Sequence, residues 1–151
     1  MILNQQHEVP VALRPLESFL RRVQRELGLK QSDVTVCLVS AAAMARLNQN
    51  FRKRKGPTDV LSFPHDARRR PVRLRRRMEV TNSVRHEYWG DIAISPTTAR
   101  RYAKKQKRPL SSELRVLILH GVLHLLGYDH ETDHGEMDRI EQKLRKRFGL
   151  T

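Results

Sequence analysis

The apolar positions change period several times along the chain, and each change marks an element. ILNQQ, residues 2–6, reads as a short strand. Pro10 and Pro15 bracket the entry to a segment in which Leu16, Phe19, Leu20, Val23 and Leu27 recur at helical spacing, and Gly28 supplies the stop. DVTVCLVS, residues 33–40, alternates and is rich in valine, which predicts a strand. Ser40 is placed to cap a helix over AAAMARLNQNF, residues 41–51, which runs into the basic stretch RKRKGP. TDVLSFP, residues 58–64, and WGDIAIS, residues 89–95, predict two more strands. Ser95 and Pro96 open a helix over PTTARRYAKKQ, and Pro109 with Ser111 or Ser112 opens another over ELRVLILHGVLHLLG, residues 113–127. GYDHETDHG is a loop, and EMDRIEQKLRKRF closes the chain as an amphipathic helix with Met137, Ile140, Leu144 and Phe148 on one stripe.

The order is strand, helix, strand, helix, strand, strand, then three helices, with no internal repeat. That order predicts an α+β fold in which a single small mixed sheet is packed by helices. The 151 residues suit one domain, 1–151, with one core. Residues 65–89 interrupt the pattern. They have no usable apolar period, contain Pro71, and read as a basic loop or loose hairpin inserted in that domain.

Charge changes the picture most. The formal net charge is +14, so a polyanion is the natural partner. Aromatic residues make up only 5% of the chain, which argues against a large base-stacking platform and for phosphate contacts. MILNQQHEVP lacks a basic segment followed by a long apolar one, so no secretion signal is read there. The longest apolar run, LRVLILHGVLHLL, is too short and too broken for a membrane span. The lone Cys37 excludes an intramolecular disulfide, fits a cytoplasmic setting, and reads as a small buried hydrophobe in a strand.

The chemistry concentrates in HGVLHLLGYDH, residues 120–130. Positions i and i+4 of a helix project together, so His120 and His124 share a direction. At about 100° per residue they fall beside the stripe of Leu114, Leu117, Ile118, Val122 and Leu125, at the margin of the core. Gly127 ends the helix, and the bend lets His130 meet the other two. Three imidazoles from a helix and its following loop make an open site for one zinc ion, the fourth position left to water. Tyr128 and Asp129 are expected to orient the ligands. His134 reads as surface, the alternative being a ligand in place of His130, and His7, His65 and His86 receive no role.

The same offsets occur in the zinc peptidase motif H-E-x-x-H-x-x-G-x-x-H, but the glutamate that serves as its base is Gly121 here. Glu113 shares the azimuth of His120 yet lies about 10 Å along the helix axis. A peptidase of this design lacks its proton acceptor. Phosphodiester hydrolysis depends less on one, needing a metal and cations against the developing phosphorane charge.

These residues resemble the YbeY family, bacterial endoribonucleases of ribosomal RNA maturation. Residues 120–130 match the family's H-G-x-L-H-L-x-G-Y-D-H signature throughout, LNQNFRKRKGPTDVLSFP, residues 47–64, looks like its second motif, and WGDIAIS like its third. The resemblance runs from Ile2 to about Phe148 and implies a zincin-like, metal-dependent hydrolase fold. It implies a zinc ion on His120, His124 and His130, with Arg52 and His124 as catalytic residues. It also implies single-strand-specific cleavage of RNA, 16S rRNA 3′-end maturation and a part in ribosome quality control. The partners implied are the rRNA precursor, the small ribosomal subunit and one of its proteins, and an assembly GTPase, with no membrane.

Arg52 closes a helix and heads a basic segment, where a guanidinium suits a phosphate clamp. Asp59 and Asp91 are read as orienting or structural. The segment between the second and third motifs is longer and more basic than the family pattern, and Arg68, Arg69, Arg70, Arg73, Arg75, Arg76 and Arg77 are expected to grip RNA phosphates. The alternative on the same residues is a non-catalytic ribosome-assembly factor that binds RNA and holds a structural zinc.

Overall fold

The structure is a computed structural model and describes residues 1–52, 58–65, 88–129 and 133–150. Four strands of the described residues form one sheet: β1 (Ile2–Asn4), β2 (Val34–Leu38), β3 (Val60–Pro64) and β4 (Gly90–Ile94). Their order is β1-β2-β4-β3, with β1, β2 and β4 parallel and β3 antiparallel to β4. Among the described residues five α-helices pack around it: α1 (Leu13–Glu26), α2 (Ala41–Leu47), α3 (Pro96–Lys105), α4 (Leu110–Leu125) and α5 (Glu136–Arg147). The predicted α+β class and the predicted order of elements are both present.

The pleat sorts side chains into two layers. Register sets Ile2 beside Val36 and Val36 beside Ile92, so Val34, Val36, Leu38, Ile92 and Ile94 share one face. That face meets α1 and α4, where Leu20, Val23, Ile118, Val122 and Leu123 complete the main core. On the other face Met44 of α2 packs on Leu61 and Ala93, with Cys37, Leu47 and Phe63 at the edge. Cys37 is half-buried there rather than enclosed, because α2 covers only part of this face.

Local chemistry explains the element ends. Ser40 Oγ accepts from Ala43 N at 3.1 Å, and Ser95 Oγ accepts from Thr98 N at 3.3 Å ahead of Pro96 at the first helical position. The helix expected over residues 41–51 is α-helical only to Leu47, and Asn48–Arg52 continue as one wider π-helical turn. α4 differs from the one-stripe reading. It is buried nearly all round, including Val116, Leu119, Gly121 and Leu123, because strands and three helices surround it.

β3 and β4 bring the ends of the basic segment together, with His65 N donating to Trp89 O at 2.9 Å. Arg68, Arg69, Arg70, Arg73, Arg75, Arg76 and Arg77 lie outside the described residues.

Candidate metal centre and its cleft

α4 ends in a glycine cap that aims the chain back over its own last turn. Gly127 takes φ 98°, its N–H meets His124 O at 3.0 Å, and Tyr128 N meets Leu123 O at 3.2 Å. This pairing of two N–H groups with the last carbonyls is the Schellman arrangement, which glycine permits without strain. Tyr128 is buried and Asp129 half-buried just past the bend. His130 lies outside the described residues, as does the side chain of Arg52, whose backbone ends the π-helical turn.

His120 and His124 are both half-buried on one side of α4. Their rings meet edge to face, with centroids 4.6 Å apart and an interplanar angle of 76°. The two Nε2 atoms stand 3.0 Å apart. A tetrahedral zinc ion with nitrogen ligands at 2.0–2.1 Å requires about 3.3 Å between them, so the pair fits two corners of such a site.

The other nitrogen of His120 is held. Nδ1 lies 2.6 Å from Glu141 Oε1, and Glu141 Oε2 in turn receives Arg145 Nη2 at 3.1 Å. A carboxylate on Nδ1 fixes the proton there and leaves the Nε2 lone pair pointing at His124. Burial alone raises the Glu141 pKa, but the hydrogen bond and charge of His120, with Arg145 and His124, outweigh it and pull the carboxyl below its ordinary range. Sequence reading passed over Glu141. The signal was present: 137, 141, 144 and 148 are spaced as one helical stripe, so a charged residue sits within the apolar row of α5.

Gly121, about 100° further round the helix than His120, faces the sheet. A Cβ at this position would lie 2.8 Å from Ile92 Cγ2 and 2.9 Å from Ile92 Cδ1. Its carbonyl accepts from Ser62 Oγ at 3.2 Å. The position that carries a base in zinc peptidases therefore abuts the sheet here, with no room for a side chain.

Beside His120 a cleft of about 400 Å³ runs along α4 to Glu113. α3 and its exit contribute Tyr102, Gln106 and Arg108, and Asp59 and Arg145 also line it. Glu113 is buried and pairs with Arg108 at 2.7 Å. Burial pushes the Glu113 carboxyl up against the opposing charge of Arg108, and burial likewise raises Asp59 against its local hydrogen bonds and the charge of His120. Among the described residues no three His, Cys, Asp or Glu side chains converge on a point, and no helix is long and apolar enough to cross a membrane.

Comparison with known proteins joins this geometry to a family. The pattern that defines endoribonuclease YbeY matches residues 1–149. The chain belongs to the endoribonuclease YbeY family. The endoribonuclease YbeY of Koribacter versatilis is 37% identical over 150 residues, spanning 99% of this chain and 86% of that protein. That of Solibacter usitatus is 36% identical over 143 residues, spanning 93% and 84%. That of Helicobacter pylori is 36% identical over 139 residues, spanning 90% and 87%. A Thermotoga maritima protein solved in solution superposes with a TM-score of 0.61 at 29% identity, covering 99% of this chain and 90% of its own. These YbeY relatives and the α+β sheet-and-helix architecture agree with the family resemblance read from HGVLHLLGYDH.

Proposed function

We propose that this chain is a zinc-dependent, single-strand-specific endoribonuclease that matures the 3′ end of 16S rRNA. Membership of the YbeY family makes it a nuclease acting on RNA in rRNA processing. The observation that carries the metal assignment is the facing Nε2 pair of His120 and His124, 3.0 Å apart, with Glu141 on the far nitrogen of His120. His120, His124 and His130 would hold one ion. What zinc supplies when bound is Lewis-acid polarisation of a phosphodiester and acidification of a water molecule.

The chain's own groups do the rest. Glu141 keeps the His120 ring oriented. Arg52 and His124 are assigned to catalysis, Arg52 as the guanidinium that clamps phosphate. Arg68, Arg69, Arg70, Arg73, Arg75, Arg76 and Arg77 are assigned to RNA binding, in keeping with the +14 charge. Tyr128 and Asp129 are assigned to orienting the ligands from the bend after α4. We read residues 1–151 as a single domain, with about 65–89 as its basic insertion. A cytoplasmic setting follows from an rRNA precursor as substrate. The small ribosomal subunit with one of its proteins, an assembly GTPase, and a part in ribosome quality control belong to the same reading.

The test is metal content and RNA cleavage for wild type and His124→Ala. The variant should lose bound zinc and at least a hundredfold in cleavage while keeping its helical spectrum and its RNA affinity. Wild-type protein that holds zinc and binds RNA without cutting it would leave only the non-catalytic assembly factor.

A further inference from the structure

The cleft beside His120 has a composition that the +14 chain does not lead one to expect. Among the described residues its charged lining is two acids, Asp59 and Glu113, and two bases, Arg108 and Arg145. Each guanidinium already has a carboxylate: Arg108 pairs with Glu113 at 2.7 Å and Arg145 with Glu141 at 3.1 Å. This is a near-neutral slot in a strongly basic protein, and phosphate has little reason to enter it. Besides His120, its other described lining groups are aliphatic, one amide and one phenol. Val116 and Leu117 form part of the floor, Gln106 supplies donors and an acceptor, and Tyr102 is 46% exposed at the rim. From His120 to Glu113 the slot spans seven residues of α4, about 10 Å.

We propose that this cleft is a nucleobase subsite: it takes one unstacked base of the RNA, next to the phosphodiester held at the histidines. The proposal rests on the endoribonuclease reading and deepens it. Tyr102 supplies the stacking face, which every base satisfies regardless of sequence. Gln106 and the Arg108 guanidinium, fixed in place by Glu113, meet the base edge. About 400 Å³ holds one base with its ribose and excludes a base pair, so a nucleotide enters only when it is free of a duplex. One ring suffices for such a slot, which reconciles it with the low aromatic content of the chain.

Base stacking and phosphate binding respond differently to salt, and that difference supplies the experiment. Affinity is measured by fluorescence anisotropy for labelled single-stranded oligoadenylate and for an abasic ribose-phosphate oligomer of equal length, over a range of salt. Wild type should prefer oligoadenylate by fivefold or more. Tyr102→Ala should erase that preference, leave affinity for the abasic oligomer intact, and leave the salt slope unchanged. Tyr102→Trp should restore the preference. A Tyr102→Ala protein that still prefers oligoadenylate, or that weakens equally toward both oligomers, overturns the subsite while the endoribonuclease reading stands on wild-type cleavage. Wild type that binds neither oligomer and cuts no RNA overturns both.

Discussion

The two sides of α4 are constrained by different physics. Toward the sheet, Gly121 meets Ile92 so closely that even a methyl group collides, and Val122 and Leu123 are wholly enclosed. Toward the cleft, His120 and His124 are half-buried, their Nε2 atoms meet, and the far nitrogen of His120 is held by Glu141, which Arg145 braces. The first side is fixed by shape and the second by chemistry. Neighbouring residues 120 and 121 therefore have opposite tolerances: the first can be exchanged at a cost in ligand chemistry, the second hardly at all. The glycine in the histidine motif is thus the packing contact that seats α4 on β4, as well as a position without a base.

Gly121→Glu tests the packed side most severely. It puts a side chain into Ile92, at about 1–3 kcal/mol, and an unpaired carboxylate into a dry core, at about 3–5 kcal/mol. We expect about 4 kcal/mol or more of lost stability, read as insoluble protein or a thermal midpoint lowered by about 10 °C or more. Gly121→Ala should be milder, since overpacking of about 1–3 kcal/mol is offset by about 1 kcal/mol of helix propensity. A Gly121→Glu protein that folded normally would show that α4 can slide from the sheet, and the two sides would no longer be distinct.

Glu141→Gln tests the other side. The amide is isosteric, so the fold should persist, but it cannot hold the Nδ1 proton of His120 as a carboxylate does. Loss of such an orienting carboxylate lowers metal affinity by about 10–100-fold. Zinc competition against a chromogenic chelator measures this without any reference to RNA. Unchanged affinity would mean that Glu141 is only a salt-bridge partner of Arg145.

The contrast also explains what was legible in the sequence. His120 and His124 could be placed on one side of a helix because their offset is one turn, and the helix end could be placed because Gly127 is a cap residue. Ser40 and Ser95 announced their helices through the same local chemistry. The charge of Glu141 within the apolar row of α5 is legible in the sequence, but its pairing with His120 is not, because the partner lies on another helix and no local rule links residues so far apart. The reason for Gly121 was hidden similarly. The chain shows that a base is missing, whereas the nearness of Ile92 depends on how α4 lies across β4. The π-helical turn at Asn48–Arg52 breaks a periodic segment that carried no signal for it.

Ser62→Ala gives the smallest expected effect and the finest test of the boundary. Ser62 lies on β3, and its hydroxyl donates to the carbonyl of Gly121 at 3.2 Å, a polar link between the sheet and the packed side of α4. That carbonyl lies within the helix and keeps its helical hydrogen bond, so removing the hydroxyl strands no buried acceptor. The loss should therefore be that of one neutral hydrogen bond, about 0.5–1 kcal/mol, or roughly 1–4 °C in the thermal midpoint. Metal affinity should not move, because the link ends on the backbone of residue 121 and leaves the ring of residue 120 untouched. If Ser62→Ala instead weakened zinc binding as much as Glu141→Gln does, the sheet would be steering the imidazoles through the helix backbone, and shape and chemistry would be one constraint.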